Sequence, residues 1–342
     1  MKSILQSFID LYQIDWDYYD DIHDKKLINP FINKSDINIH EKFIHDYFYR
    51  SGKANILEIN KILPNSRNNK NHTNSIFFLG ILIHKNTDFK KLINSTDSNY
   101  LDDFSFLWFL TCLLHDYAYP YENDLHYLNA ISDFDSLIKY FQISETNKLL
   151  DQDIKGINHK LFKCIVDYYK YRIICHRKID HGILAGIYLY DKLVKIRIEK
   201  EESGCKDFNW DKEIEKTYAL AASAIAVHNI WIPLAKDKEL YKHFGLKQLI
   251  DFKPIKMSKS PLLYLFGIVD TIDPIKAFSK SHNENYILDN LEIDFTNKTL
   301  YLKNKKGSKL DFNEINKKSD NFLGWLDVSL TKKADSLLIN MK

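Results

Sequence analysis

"FSFLWFLTCLLHDYAYPYE", Phe104 to Glu122, carries an apolar run straight into the adjacent pair His115-Asp116 and then into Tyr117, Tyr119 and Tyr121. A run of that length without Gly or Pro reads as a helix that is apolar on most of its faces, and such a helix belongs inside a bundle. It stops on two good metal ligands. One pair of this kind is weak evidence alone, because an Asp at a helix end is usually a turn or cap residue. Its weight depends on whether the rest of the chain supplies partners.

Apolar residues recur at helical spacing in "HKLFKCIVDYYKYRIICH", "GILAGIYLYDKLVKIRI", "IEKTYALAASAIAVHNIW" and "PLLYLFGIVDTIDPIKAFSK". Only 10 Gly and 7 Pro punctuate 342 residues, which favours helices throughout. The small residues of "ALAASAIA" predict close helix approach. The fold class expected is mainly α. The start, "MKSILQSFIDLYQIDWDYYDD", reads as an amphipathic helix and not as a signal peptide, because acids interrupt its apolar pattern. Residues 1–63 are expected as a helical extension packed on the core, 64–282 as the main helical domain, and 283–342 as an appendage. In that appendage the alternation on both sides of Thr296-Asn297-Lys298 predicts a β-hairpin, and a further helix is expected around "LDFNEINKKSDNFLGWLDVSL". The segments "LPNSRNNKNHTN", "LINSTDSNYLDD" and "EKEESGCKDFNWD" read as loops.

A net charge of +2 gives no overall field for nucleic acid or an anionic membrane, and lysines and acids are interleaved throughout. No apolar stretch reaches the roughly 18 residues that span a bilayer. Cys112, Cys164, Cys175 and Cys205 show no CxxC pairing, and with no secretion signal they read as reduced thiols of a cytoplasmic protein, Cys112 and Cys164 in the core.

The histidines supply the partners. His72 opens "HTNSIFFLGILI", His181 opens "HGILAGIYLY", His228 ends "ALAASAIAVH" and Asp270 ends "LLYLFGIVD". With His115 and Asp116, all six stand at edges of apolar helices, where a bundle interior can gather ligands. Imidazole and carboxylate together suit divalent ions, and an Asp has two oxygens, enough to touch two of them. Two ions roughly 3.5–4 Å apart can activate a water between them and neutralise a phosphoryl oxygen. A single His at a helix edge is more often a satisfied core or cap residue than a ligand. Six in this order are harder to dismiss.

On these residues the chain resembles the HD-domain metal-dependent phosphohydrolases over roughly residues 65–280. "HTNSIFFLG" is similar to the family's first-His helix, "LLHDYAYP" to its His-Asp motif and "LFGIVDTIDPIK" to its last-Asp helix. His181 and His228 resemble the extra ligands of the two-metal members, a group that includes cyclic-nucleotide and dinucleotide hydrolases. The resemblance implies an HD-type helical bundle and two divalent ions, with Mn, Fe, Mg and Zn left open. One ion would be held by His72, His115, Asp116 and Asp270, and the other by Asp116 as bridge with His181 and His228. It implies hydrolysis of a phosphoester or phosphoanhydride of a nucleotide or cyclic oligonucleotide by a metal-bound hydroxide, so no protein nucleophile is needed. His115 and Asp116 would then be catalytic. Many members continue as HDxGK, whereas Tyr119 stands here in place of the lysine, so charge stabilisation must come from elsewhere or the substrate differs.

Substrate-side candidates are Arg177 and Lys178, in "CHRKIDHG", where a solvated turn is an equal reading. Others are Lys276, about one and a half turns after Asp270, and Asn229, which could orient a ligand or cap its helix. Arg177 and Lys276 could also serve catalysis by stabilising charge. Tyr117 and Tyr119 could stack a base, although packing is the stronger reading in a chain with 21 Tyr. His84, His126 and His159 have surface-like neighbours. Two other functions stay open. One is a degenerate HD fold that binds a nucleotide or partner protein without turnover, and the other is a single-strand nuclease. Near-neutral charge and the lack of a basic-aromatic stripe count against nucleic acid without removing it. The oligomeric state stays open, a homodimer among the options.

Overall fold

The computed structural model describes residues 1–17, 27–32, 38–50, 67–94, 104–151, 156–204, 212–278 and 282–342. The chain is mainly helical with a small C-terminal antiparallel sheet. Ile4–Ile9 (α1), Gln13–Trp16 (α2) and Ile39–Arg50 (α3) precede Arg67–Asn86 (α4) and Phe89–Asn94 (α5). The apolar run Phe104–Leu114 forms α6, and every residue of it is buried. The short helices Leu125–Ala130 (α7), Phe134–Tyr140 (α8), Thr146–Leu150 (α9) and His159–Phe162 (α10) lead to Ile165–His176 (α11). Then come His181–Glu202 (α12), Ile214–Val227 (α13), Lys238–His243 (α14), Lys247–Ile250 (α15), Pro261–Ile272 (α16), Pro274–Phe278 (α17) and Glu284–Asn290 (α18), with Phe312–Ser319 (α19) in the tail. No described helix is long and apolar enough to cross a membrane.

The small residues do what their pattern predicts. Gly186 on α12 lies so close to α13 that a Cβ there would sit 2.5 Å from the Ala222 carbonyl oxygen and 2.7 Å from Ala226 Cβ. Gly80 on α4 lies directly against the Trp108 ring of α6, and Trp108 Nε1 donates to the Phe77 carbonyl at 2.9 Å.

Several expected boundaries move. "LPNSRNNKNHTN" is helical from Arg67 onward, while Leu63–Ser66 lie outside the described residues, so His72 sits in the second turn of α4 and not at its opening. Polar composition signals a loop because Asn and Ser compete for backbone hydrogen bonds. Here Asn71, Asn74 and Ser75 are buried, and other elements engage Asn74 and Ser75. Asn74 donates to the His40 carbonyl at 3.1 Å, and Ser75 donates to Asp273. Leu92–Asn94 close α5, and Glu199–Glu202 close α12; the rest of those two presumed loops, apart from the turn at Ser203-Gly204, falls outside the described residues, as does Cys205. The N-terminal pattern breaks at Asp10, so α1 and α2 are separate short helices, and Lys163-Cys164 interrupts the pattern between α10 and α11.

The hairpin forms as expected, Leu291–Thr296 (β2) against Thr299–Asn304 (β3) with Thr296 opposite Thr299. It belongs to a larger sheet. Lys2–Ser3 (β1) pairs with β2, and Ser336–Met341 (β5) lies between β3 and Val328–Lys332 (β4), all antiparallel, in the order β1-β2-β3-β5-β4. The helix expected over residues 310–330 is therefore confined to α19 and a following short 3-10 turn, Asp320–Phe322. Leu300 opposite Ile339 and Leu302 opposite Leu337 are all buried on one face of this sheet, and that shared face carries β5 into the core. Cys112 and Cys164 are buried free thiols, and Cys175 is exposed.

His126 and His159 are exposed, but His84 is buried and stacks on Phe104 with ring centres 3.7 Å apart. Burial, with Lys90 nearby, lowers its pKa from 6.5 to about 3. The unfolded chain thus binds a proton that the native chain refuses. This contribution to stability is complete above pH 6.5 and is lost as the pH falls toward 3. Denaturant midpoints measured between pH 7 and pH 4 should fall less steeply in His84→Phe than in the wild type; parallel curves would refute the account. Gly186→Ala should cost about 1–3 kcal/mol in urea unfolding, because the added methyl meets backbone and not a mobile side chain.

Candidate metal centre

Helix ends bring the six predicted residues together. His72 comes from α4, His115-Asp116 from the turn that closes α6, His181 from the first residue of α12, His228 from the C-cap of α13 and Asp270 from the last turn of α16. They form two triads with mutually close donor atoms, His72–His115–Asp270 and Asp116–His181–His228. In the first, Asp270 Oδ1 lies 3.6 Å from His72 Nε2 and 3.8 Å from His115 Nε2. Asp116 touches both. Its Oδ2 lies 3.2 Å from His115 Nε2 and 3.8 Å from His72 Nε2, while its Oδ1 lies 3.8 Å from His181 Nε2. The turn geometry allows this, because Tyr117 N bonds to Leu114 O and Tyr119 N to Asp116 O immediately after the helix.

Three of the four imidazoles are held from behind by a hydrogen bond through Nδ1. Those of His115 and His228 donate to Cys112 O and Ile225 O, both at 2.6 Å, and that of His72 donates to Asp273 at 2.9 Å. His181 Nδ1 faces Glu122 Oε2 at 3.3 Å. A proton on Nδ1 leaves the Nε2 lone pair free. The Nε2 atoms of His72 and His115 are buried and make no hydrogen bond, though carboxylate oxygens of Asp116 and Asp270 lie near them. A divalent cation fits such nitrogens, and an outer layer of carboxylates and carbonyls is how metal-binding histidines are oriented. The two triads could hold one cation each, with Asp116 shared.

For His228, Asp116 and Asp270 the electrostatics agree with that use, while against burial the neighbouring carboxylates raise the pKa of His115 and His181. Burial, with the neighbouring His181 and His115, lowers the His228 pKa to about 3, so this ring is neutral and able to ligate. For Asp116, burial opposes ionisation, but His115 beside it and Lys276 outweigh burial and hold the carboxyl well below its usual range. Asp270 is likewise held low against burial, by Lys276 first and then by His115 and His72. Lys276 Nζ lies 2.6 Å from Asp270 Oδ1.

All of the ligands except His115 face a cavity of about 530 Å³. Tyr119, Asn229 and Lys276 line it too, as the sequence suggests. Tyr117 does not: it is buried and stacks on Tyr188, 5.1 Å between centres. Arg177 is an exposed C-cap of α11 in a left-handed conformation (φ 49°), and Lys178 reaches toward Glu122 at 3.6 Å; neither lines the cavity. Asn229 is engaged at both ends, donating to Asp180 at 3.1 Å and accepting from Trp231 Nε1 at 3.0 Å. It therefore fixes a cavity wall.

Sequence reasoning misses the layer behind the ligands. Asp180, fully buried, caps α12 through Ile183 N and meets Arg172 Nε at 3.3 Å, while Arg172 also binds Glu122 at 2.9 Å. An Asp one residue before a helix start is a legible cap signal. Asp273, three residues after Asp270 and before a proline, is half-legible; Glu122 carries no signal. Trp231, Phe266, Trp325, Lys318 and Asn321 also line the cavity unannounced.

Comparison with protein-family models, with curated proteins and with solved structures gives no match.

Asp273→Asn removes the charge behind His72 while keeping the shape. Metal affinity in competition with a chelator should fall about 10–100-fold, and wild-type affinity would show that His72 needs no such support.

Proposed function

We propose that the protein is a metal-dependent phosphohydrolase of HD type that cleaves a phosphoester or phosphoanhydride bond of a nucleotide-like substrate. The observation that carries this reading is the Asp116 carboxylate, whose two oxygens face two different histidine sets. A single-metal or purely structural site has no use for two triads joined in that way. His72, His115 and Asp270 would hold one divalent cation, and His181 and His228 the other, with Asp116 between them. Bound there, two such cations would make water a nucleophile near neutral pH and take up charge on a phosphoryl oxygen.

The chain's own residues supply position and charge. In the hydrolysis, water oxygen bonds to phosphorus, the bond from phosphorus to the leaving oxygen breaks, and the leaving group takes a proton. Lys276, tied to Asp270 and lining the cavity, puts a fixed positive charge beside the reacting group. It thus offers the charge that the missing lysine after the His-Asp pair would have given. Phe266, Trp231 and Trp325 give the cavity apolar walls, which limit water and suit a planar base. Glu122, Asp273 and the two carbonyls keep the four imidazoles aimed. No Ser or Cys nucleophile is required, and Cys112 is a fully buried thiol whose pKa burial pushes up.

Asp116→Ala should lose metal content and phosphatase activity together. The check is elemental analysis of purified protein beside hydrolysis of a nucleotide panel with Mn, Fe, Mg and Zn. Full activity in that variant would sink the assignment.

A further inference from the structure

The cavity has a second wall that the metal ligands do not account for. Lys318, Asn321, Phe322 and Trp325 enter it from the segment that follows the β2–β3 hairpin. That segment is held firmly against α16. Trp325 packs directly on Gly267, where no Cβ would fit, and its carbonyl accepts from Ile255 N at 2.8 Å. Phe312 and Ile315 bury the inner face of α19. The Lys318 ammonium is pinned by donation to the backbone oxygen of Lys276 at 2.7 Å.

Asp270 is engaged by Lys276, and Asp116 faces imidazoles. Among the described residues, no carboxylate forms an ion pair with Lys318, which is half-buried beside a second lysine. Burial first and the neighbouring Lys276 push its ammonium pKa down, outweighing the more distant Asp273, Asp270 and Glu314 that pull it up. An unpaired, partly desolvated cation is an unfavourable arrangement that an anion in the cavity would relieve.

We propose that Lys318 binds a second anionic group of the substrate, separate from the phosphoryl group that reacts beside Asp116 and Asp270, and so selects substrates bearing a phosphate chain over single phosphoesters. This rests on the phosphohydrolase reading. An ammonium has three donors, and one of them is spent on the Lys276 carbonyl, which leaves two for phosphate oxygens. A cavity of about 530 Å³ has room for a phosphate chain and a planar group together. The reacting end lies at the metal ligands and the second charge at the C-terminal wall, so the tail of the chain sets specificity without touching the triads.

The test compares full-length, Mn-loaded wild type with Lys318→Gln, Lys318→Arg and Lys317→Gln, the last an exposed lysine of the same helix outside the cavity. Rates are measured on a nucleoside triphosphate and on p-nitrophenyl phosphate. In Lys318→Gln the kcat/KM ratio between the two should shift against the triphosphate by about 10–100-fold. Lys317→Gln should keep the wild-type ratio, and Lys318→Arg should restore most of it. An unchanged ratio in Lys318→Gln overturns the proposal. If the wild type hydrolyses neither compound, the phosphohydrolase reading fails separately, and calorimetric titration with inorganic tripolyphosphate still decides on the anion site. A tenfold or greater loss of affinity in Lys318→Gln relative to Lys317→Gln upholds it, and equal affinities overturn it.

Discussion

A carboxylate shared between two sets of imidazoles is the constraint around which the core is arranged. Asp116 faces both because three helix ends, the second turn of α4 and the turn after α6 meet at one point. The packing of α12 on α13 shows how tightly this is held. Gly186 and Ala222 bring the backbones nearly into contact, and a Cβ at Gly182 would stand 2.9 Å from the His228 ring. Small residues in these helices thus set the distance between His181 and His228, so packing and site geometry are one problem.

Burying so many polar groups requires an outer layer of partners. Unsatisfied buried donors and acceptors cost more than a hydrogen bond returns, and the interior answers with Asp273, Glu122, Asp180 and Arg172 behind the ligands. Asp273 alone accepts from His72, Ser75 and the Lys276 amide. One carboxylate therefore ties α4 to the start of α17 and orients the His72 ring at the same time. Buried atoms without a hydrogen-bond partner include His72 Nε2 and His115 Nε2, which are aimed inward, and on the outer side His181 Nδ1 and Arg172 Nε. For His72 and His115, a satisfied Nδ1 behind and a free Nε2 in front is the orientation that metal-binding histidines adopt.

The C-terminal sheet extends this logic to the cavity. Its inner face joins the core through Leu300, Leu302, Leu337 and Ile339, and residues 312–326 return across α16 from it. By lying there, the segment closes a cleft that the helices alone would leave open, and it adds two aromatic rings and an ammonium to the walls. Lys2–Ser3 pairs with the same sheet, which joins the two ends of the described chain.

Sequence by itself determined the mainly helical class, the β2–β3 hairpin and the six residues that meet at the centre. These were legible because helical periodicity, two-residue turns and chemically unusual side chains at the edges of apolar runs are local signals. Tertiary structure alone decided the rest. Within the polar start of α4, Asn74 and Ser75 bond to His40 and Asp273, partners outside the segment that no local pattern carries. Strand β1 has only two residues and exists through pairing with β2, distant in sequence, and β5 takes its place in the sheet through pairing with β3 as well as with its neighbour β4. Tyr117 and Tyr119 differ by two positions, yet one packs on Tyr188 and the other lines the cavity, because the turn after Leu114 points them apart. Lys318 and Lys276 meet only across the folded interior, and charge placed by folding has no signature in the order of residues.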